Sequence, residues 1–200
     1  QVFDDQEGLS ERLLAALAEW CTRYTPAAAI DLPDGLLLDG SGCAHLWGGE
    51  LQYLTSITTR LTEFGYNIQA AMADTIGAAW AVSRFGNTTI IESGKQKQAL
   101  IPLHPAALRV EAGIVDRLFK LGLNHIGDFI DMPASALRRR FGPSLLTRLN
   151  QAIGQEIETL PMDGVFIAIG HTPNTELFVN QLDMRDGYLI IRSGLEGMAT

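Results

Sequence analysis

The sequence contains only two cysteines in 200 residues, Cys21 and Cys43. Their spacing fits neither a disulfide framework nor a zinc site, so we expect a reducing, cytoplasmic location. No apolar run reaches the roughly 18 residues that a membrane-spanning helix needs, and the first residues do not have the pattern of a signal peptide. These absences predict a protein without a membrane-spanning segment. Its fold would be stabilised by a hydrophobic core and not by disulfides or structural zinc.

Basic residues are scarce relative to acidic ones. The chain has 15 Lys and Arg against 23 Asp and Glu, for a net charge of −8, which disfavours non-specific binding of the whole chain to nucleic acid. The charge is unevenly distributed: residues 1–97 carry −6, residues 98–157 carry +2 and residues 158–200 carry −4. The middle segment is therefore the part whose charge favours contact with DNA.

The segment 1–97 mixes helical and strand patterns. Its apolar and small residues recur at helical spacing in three stretches: Ser10–Tyr24, Glu50–Phe64 and Gly77–Phe85. Pro33-Asp34-Gly35 separates two short apolar runs and predicts a β-hairpin in which glycine supplies the freedom of a positive φ. A further strand is expected over Tyr66–Ala73. This order predicts an α+β layer, with a mixed or antiparallel sheet covered by helices on one face.

The segment 98–157 has short helical patterns separated by glycine and proline. These predict a small all-helical module with helices over Ile114–Leu121, Ile126–Asp131, Ala134–Phe141 and Leu145–Ile153. In the segment 158–200, strands are expected over Val165–Ile169 and Tyr188–Ile191. We therefore divide the chain into residues 1–97, 98–157 and 158–200.

Several stretches, in order along residues 12–157, resemble Y-family (translesion) DNA polymerases. They are Arg23-Tyr24-Thr25, Asp34–Asp39, Ala71–Thr75, Leu121–Phe129 and Arg139–Gly142. The resemblance implies a partial, UmuC-like palm over residues 1–97 and a thumb with a helix-hairpin-helix over residues 98–157. Gly42–Glu50 and Gly77–Ala81 resemble the ImuB-type branch of this family, whose members lack polymerase activity and act as adaptors in damage-induced mutagenesis. That branch implies a DNA-repair adaptor of the SOS response, with the sliding clamp and other mutasome proteins as partners.

The residues of the polymerase site are largely replaced. Two-metal nucleotidyl transfer needs clustered carboxylates around two divalent cations. The family pattern has adjacent Asp and Glu at the hairpin, and here Asp34 is followed by Gly35; the family's first metal-binding Asp would precede Gln1. Ile76 stands where the family has the lysine that binds the triphosphate. We therefore expect no catalysis, no metal and no cofactor.

The thumb is also altered relative to the family pattern. A helix-hairpin-helix binds phosphate through backbone N–H groups of a Gly-x-Gly turn, and the matching positions here are Arg109-Val110-Glu111. Because this turn has lost its glycines, we expect it to bind phosphate poorly. The remaining DNA binding would be weak and would come from contacts to the DNA phosphate backbone by Arg138, Arg139, Arg140 and Arg148. The alternative is that the run Arg138–Arg140 is an ordinary solvated helix face.

Two pairs of residues raise the question of a metal site. Cys43 and His45 are close in sequence, but two ligands do not make a site, and packing within the loop is the preferred interpretation. Asp34 and Asp39 are a second candidate pair, for which turn and strand-end carboxylates are the simpler explanation.

The segment from about residue 161 resembles thioredoxin reductase. The stretches Met162–Thr175 and Asp186-Gly187-Tyr188 carry this resemblance. Neither a Cys-x-x-Cys pair nor a Gly-x-Gly-x-x-Gly loop occurs in the 200 residues, and the family's Gly-Asp motif that covers the flavin is missing. We therefore expect no flavin binding. The alternatives to a repair adaptor are part of an FAD- and NADPH-dependent thioredoxin reductase, or a hybrid without autonomous function.

Overall fold

The computed structural model describes residues 8–158 and, beyond them, the backbone of two short strands at 184–185 and 188–189. The chain separates into two compact units, residues 1–164 and 165–200. The first unit contains the described helices and the hairpin that carries the candidate site. None of those helices is both long and apolar enough to cross a membrane.

The N-terminal part of the first unit is built from two helices and a hairpin. Its elements are α1 (Leu9–Cys21), β1 (Ala28–Asp31), β2 (Gly35–Leu38), a 3₁₀ helix (Ala44–Trp47) and α2 (Glu50–Glu63). The strands are antiparallel, with Ala28 opposite Leu38 and Asp31 opposite Gly35. After α2, Gly65 adopts a φ of 92°, a left-handed conformation that suits glycine because it lacks Cβ. The two helices and the hairpin expected here are confirmed.

The rest of the first unit is helical. Its elements are α3 (Ile76–Phe85), α4 (Gln96–Leu100), a 3₁₀ helix (Pro105–Leu108), α5 (Ala112–Lys120), a 3₁₀ helix (Ile126–Asp128), α6 (Ala134–Phe141) and α7 (Pro143–Ile153). Helix α6 has the expected bounds, and α7 begins two residues earlier than expected because proline is well suited to the first turn of a helix. The helix expected over Ile126–Asp131 is wrong. Only a 3₁₀ turn forms there, closed locally by the Asp128 carboxylate, which accepts the His125 N–H at 2.8 Å.

The sheet is smaller than expected. Within the first unit's described residues it consists of the antiparallel β1–β2 hairpin, so the antiparallel alternative is confirmed and the mixed sheet with a further strand is wrong. The strand expected over Tyr66–Ala73 is reduced to one parallel bridge between Met72 and Ile90. A strand persists only where a neighbour satisfies its backbone groups along its length, and this segment finds such a neighbour at a single residue. The fold is therefore α+β but mostly helical.

Two apolar cores stabilise the first unit. The smaller core lies where α1 and α2 meet the hairpin and contains Tyr24, Tyr53, Ile57 and Leu61. The larger core combines α3 with the later helices; among its fully buried members are Ala78, Leu100, Leu118, Phe129, Leu137 and Leu145. Burying each large apolar side chain contributes about 1.5–3 kcal/mol. Because α3 packs into the core of the helices that follow it, it connects the hairpin to the helical module.

In the second unit, β3 (Met184–Arg185) and β4 (Tyr188–Leu189) form an antiparallel pair. Strand β4 overlaps the strand expected over Tyr188–Ile191. The strand expected over Val165–Ile169 lies outside the described residues. The expected division into residues 1–97, 98–157 and 158–200 stays a prediction.

Helices α3 and α7 approach closely at Gly77. A Cβ built on Gly77 would lie 2.9 Å from the Cα of Ala152 and 3.0 Å from its Cβ. The neighbouring Thr75 caps α3 and donates a hydrogen bond from its hydroxyl to the Ala152 carbonyl at 2.8 Å. Glycine therefore allows the start of α3 to contact the last turns of α7.

We expect Gly77→Ala to lower the free energy of unfolding by about 1–3 kcal/mol, because the added methyl group would overpack this contact. Gly113→Ala is the matched control: Gly113 is also helical, and no atom lies within 4 Å of the position that a Cβ would take there. That substitution should stabilise the chain by about 0.5–1 kcal/mol. Urea denaturation of both variants measures the difference. Equal shifts of the same sign would contradict the close approach of α3 and α7.

Candidate functional site at the hairpin turn

Asp34 lies on the β1–β2 turn and is held by an arginine from α3. Arg84 donates two hydrogen bonds to the Asp34 carboxylate, from Nη2 to Oδ1 at 2.7 Å and from Nη1 to Oδ2 at 3.2 Å. This bidentate geometry is the strong form of an arginine–carboxylate pair. The hydrogen bonds from Arg84 lower the pKa of Asp34 below its usual value. The one carboxylate that matches the polymerase pattern is thus engaged by a cation of the protein itself.

Gly35 does not serve the turn in the expected way. It lies in β2 opposite Asp31 and is not among the residues with positive φ, so the turn does not use glycine's conformational freedom. Its importance is spatial instead. A Cβ at this position would lie 3.1 Å from Arg84 Nη2 and 3.1 Å from the Asp31 carbonyl oxygen. Where the family pattern has a glutamate, this chain leaves room for the guanidinium of Arg84.

Asp31, at the end of β1, is a second carboxylate at the turn, with only 8% of its surface exposed. Trp80 donates a hydrogen bond from Nε1 to its Oδ2 at 2.8 Å, and Arg109 pairs with its Oδ1. The guanidinium carbons of Arg84 and Arg109 lie 4.9 and 5.0 Å from the centre of the Trp80 ring. We call Asp31, Asp34, Trp80, Arg84 and Arg109 the hairpin-turn cluster.

The hairpin-turn cluster balances its own charges. Each carboxylate binds one guanidinium, and both guanidinium groups lie close to the electron-rich ring of one indole. A divalent cation would have to compete with these guanidinium groups for the same oxygens and would need further oxygen ligands. Among residues 8–158, no three His, Cys, Asp or Glu side chains group together as metal ligands. The cluster is suited to joining structural elements.

The other candidate metal ligands are separated. Asp34 precedes β2 and Asp39 follows it, so they lie at opposite ends of the strand. An Asp39 carboxylate oxygen accepts the Ser41 N–H at 2.9 Å. Cys43 is half-buried and donates a weak hydrogen bond from Sγ to the Ser41 carbonyl at 3.5 Å, whereas His45 is exposed. The packing interpretation of Cys43 and the strand-end interpretation of Asp39 account for these contacts.

Ile76 is the first residue of α3 and is half-buried. Its side chain has no hydrogen-bond donor with which to bind a triphosphate. The cation that α3 does carry, Arg84, is bound to Asp34, and no phosphate-binding side chain stands at position 76.

Arg109, the first residue of the turn Arg109-Val110-Glu111, has an unusual backbone conformation. Its φ of 56° is left-handed, the sole non-glycine case in the described part of the chain. Such a conformation costs an ordinary residue about 1–2 kcal/mol and is routine for glycine. The turn therefore keeps a backbone shape typical of glycine, while the arginine side chain reaches Asp31. Val110 follows, and Glu111 precedes α5 as its N-cap residue with an exposed side chain.

The four arginines expected to contact DNA fall into two groups. Arg138, Arg139 and Arg140 lie together on the last turn of α6 and are exposed. No described carboxylate forms an ion pair with any of these three. Arg148, on α7, is half-buried and pairs with Glu158 at 2.7 Å. The structure thus leaves the run Arg138–Arg140 available to an anion and engages Arg148 within the protein.

Sequence reasoning does not find most of the hairpin-turn cluster. From the sequence, Asp31 is only part of a turn, and Trp80 and Arg84 are only helix residues. Their partners lie 49 to 78 residues away along the chain, a separation at which no local pattern signals a contact. One sequence signal was available: Arg109 stands where the polymerase pattern has a glycine. A non-glycine residue in a glycine conformation is strained and needs stabilising contacts, so a partner for Arg109 could have been expected.

Comparison with curated proteins reveals a relative that aligns with most of the chain. Protein ImuB of Caulobacter vibrioides is 43% identical over 161 residues, which cover 80% of this chain and 35% of that protein. The chain therefore spans about a third of the length of this relative. The predicted resemblance to ImuB-type proteins is confirmed over that range, and the wider relation to Y-family polymerases stays a prediction.

Two shorter matches are to enzymes. Thioredoxin reductase of Vibrio cholerae is 51% identical over 53 residues, covering 26% of this chain and 17% of the enzyme. Glucosaminate ammonia-lyase of Pseudomonas fluorescens is 60% identical over 43 residues, covering 22% of this chain and 13% of that protein. No family model and no solved structure matches the chain. The resemblance to thioredoxin reductase is thus confirmed as a partial one.

We expect Arg109→Ala to lower the free energy of unfolding by about 2–4 kcal/mol, because it leaves the buried Asp31 carboxylate without its cation. Arg109→Gly removes the same ion pair but relieves the left-handed backbone, so it should be about 1 kcal/mol less destabilising than Arg109→Ala. Urea denaturation gives both values. A glycine variant less stable than the alanine variant would contradict this account of residue 109.

The Asp34–Arg84 pair predicts a particular acid sensitivity. Because the pKa of Asp34 is lower in the folded chain than the ordinary value of 3.8, its stabilising effect is complete above that value. The effect is lost as the pH falls below 3.8 through the lower folded pKa. We therefore expect Asp34→Asn to lose less stability than the parent chain as the pH falls from about 4 to about 2.

Urea midpoints at several pH values measure this difference. Asp74 is the reference carboxyl, since hydrogen bonds from Ser93, Gly94 and Gln96 also lower its pKa. Asp34→Asn/Asp74→Asn should therefore be less acid-sensitive than either single variant. Identical pH profiles for Asp34→Asn and the parent chain would show that the Arg84 contact does not stabilise the folded state.

Proposed function

We propose that this protein acts in DNA-damage-induced mutagenesis as a non-catalytic, ImuB-type adaptor that contacts DNA. The single observation that carries the proposal is the similarity to Protein ImuB over 80% of the chain, at 43% identity. The ImuB-type resemblance links such proteins to mutagenesis without polymerase activity. The hairpin-turn cluster supports the same conclusion from chemistry.

The proposed lack of catalysis follows from the charges at the turn. A polymerase site keeps carboxylates free to bind two metal ions beside the reacting oxygens. Here Asp34 binds Arg84, Asp31 binds Arg109, and Gly35 leaves the space that Arg84 occupies. Ile76 supplies no cation for a triphosphate. The proposal therefore assigns Asp34 a structural role, in which it holds α3 against the hairpin.

The proposed DNA contact rests on the helical module. Arg138, Arg139 and Arg140 are exposed and form no ion pair among the described residues. Arginine side chains of this kind bind phosphate oxygens without reading base sequence. Since the chain as a whole carries a net charge of −8, the contact would be weak and would depend strongly on salt. The sliding clamp and other mutasome proteins are further proposed partners, on the ImuB-type resemblance alone.

We propose no second function from the similarity to thioredoxin reductase. It covers 26% of this chain and 17% of the Vibrio enzyme. A disulfide reductase needs a pair of redox cysteines, and the chain's two cysteines, Cys21 and Cys43, are not in a Cys-x-x-Cys motif. The burial of Cys21, moreover, raises the pKa of its thiol, which is unfavourable for a nucleophile.

A segment exchange tests the proposal in a living cell. The matching segment of Caulobacter Protein ImuB is replaced by residues of this chain, and the frequency of mutations induced by ultraviolet light is counted. We expect the exchange to retain induced mutagenesis, because the two segments are 43% identical. Asp34→Asn in the exchanged segment should retain it too, because a structural pair at the surface contributes little.

Two outcomes contradict the proposal in different ways. Loss of induced mutagenesis in the exchange, with the fusion protein present at the parental level, would contradict the shared function. Retained mutagenesis that disappears with Asp34→Asn, with the variant fusion protein present at the parental level, would instead indicate that Asp34 has more than a structural role. Arg60→Ala is the matched control, because it also breaks an exposed arginine–carboxylate pair, with Glu63, away from the turn.

A further inference from the structure

A groove on the helical module lies outside the hairpin-turn cluster. It has a volume of about 440 Å³ and is lined by Arg117, Lys120, Leu121, Arg140 and Phe141. We call it the basic groove. It lies where the last turn of α5 meets the last turn of α6. Arg117 and Lys120 lie outside the individual stretches that carry the polymerase resemblance, outside the candidate turn Arg109-Val110-Glu111 and outside the four arginines expected to contact DNA.

The cations of the basic groove have no acidic partners in the described chain. Arg117 is held by two backbone oxygens, with Nε 3.3 Å from the Gly113 carbonyl and Nη1 3.4 Å from the Arg140 carbonyl. These contacts orient the guanidinium without neutralising its charge. No described carboxylate lies in salt-bridge range of Arg117, Lys120 or Arg140. The groove is therefore complementary to a negatively charged ligand.

The floor of the groove is apolar. Leu121 is 53% exposed although it is a large aliphatic residue, and Phe141 closes the groove from the core side with 3% exposure. Gly122, which follows Leu121 with a φ of 77°, has no side chain that could cover the leucine. Cations at the rim and an exposed apolar floor are the combination that suits a ligand with both phosphates and flat apolar faces.

We propose that the basic groove binds single-stranded DNA, with phosphates on Arg117, Lys120 and Arg140 and a base or sugar on Leu121. This inference rests on the proposed function. It specifies that the DNA contacted is single-stranded and that the basic groove is where it binds. Grooves that bind single strands combine cations that follow the backbone with aromatic side chains on which the bases stack. In the basic groove the exposed Leu121 takes the aromatic position and offers van der Waals contact to a base or sugar. Duplex DNA keeps its bases stacked inside, so it would leave Leu121 uncovered.

A single strand fits the basic groove better than an acidic protein segment does. Two of the three groove cations are arginines, whose planar guanidinium groups match phosphate geometry. Arg138 and Arg139, next to Arg140, add positive charge around the last turn of α6. A backbone with one charge per nucleotide can bind several of these cations at once, whereas an all-acidic peptide such as polyglutamate has no apolar group to cover Leu121.

Fluorescence anisotropy of the full chain with a labelled oligo-dT of about 20 nucleotides tests the proposal over a range of salt concentrations. Each lost phosphate contact on a single strand reduces the magnitude of the log–log salt slope by about 0.7. We therefore expect Arg117→Ala/Lys120→Ala to reduce it by about 1.4 and to weaken binding about 20-fold at about 0.1 M salt. Leu121→Ser should weaken binding about fivefold, because it removes apolar surface that the strand would cover, and should leave the salt slope unchanged, since it removes no charge.

Two control variants separate the groove from general charge effects. Arg12→Ala/Lys95→Ala removes the same charge from exposed positions outside the groove and should change affinity less than about twofold. Arg138→Ala/Arg139→Ala tests the neighbouring arginine run on its own. Thermal unfolding monitored by circular dichroism checks that each variant is folded, which we expect because the substituted side chains are exposed.

Several results would overturn the proposal. If the groove variant and the Arg12→Ala/Lys95→Ala control lost the same affinity for oligo-dT, binding would depend on the net charge of the chain and not on the groove. Unchanged binding by the groove variant, with loss in Arg138→Ala/Arg139→Ala, would reject the groove while leaving the proposed adaptor function intact. Tighter binding of a duplex, or of polyglutamate, with no effect of Leu121→Ser would reject the single strand. A parent chain that binds no oligo-dT would reject the groove, and the segment exchange would still report on the adaptor function.

Discussion

The buried carboxylate of Asp31 connects the hairpin to the helical part of the first unit. It accepts hydrogen bonds from Trp80 on α3 and from Arg109 in the turn before α5, so one side chain joins the hairpin to two later elements. A buried charge is costly unless it is paired, and pairing it from two sides makes the arrangement of these elements specific. Arg109 adopts a left-handed backbone conformation where it makes this contact.

The carboxylates at the hairpin turn are neutralised by arginines of the chain itself, Arg84 and Arg109. In the proposed function these arginines stand where a nucleotidyl-transfer site would hold exchangeable metal ions. Gly35 allows this because the absence of a side chain leaves room for Arg84 beside Asp34. The proposed adaptor role is consistent with such a set of structural contacts, and it moves the functional surface to the helical module.

Local patterns predicted α1, α2, α3, α5, α6 and α7, whose amphipathic spacing is clear, but missed the short α4 and overextended the 3₁₀ turn at Ile126. Gly65 follows the end of α2, and Pro143 begins α7, through backbone preferences that do not depend on distant residues. The same reasoning failed for Tyr66–Ala73, because an apolar run becomes a strand only if a partner strand lies beside it. Arg148 shows a similar limit: the sequence presents it as a thumb arginine free to contact DNA, yet it pairs with Glu158 in the structure.

The candidate site divides in the same way. The residue types alone establish that Asp34 lacks an adjacent glutamate, that Ile76 cannot donate to a phosphate and that the positive charge is concentrated in residues 98–157. Which carboxylate meets which arginine, and where Arg117 and Arg140 come together, depends on contacts between elements that are far apart in the chain. Ion pairs and grooves arise when helices pack, and packing depends on the shapes of the buried faces, which no short stretch of sequence contains.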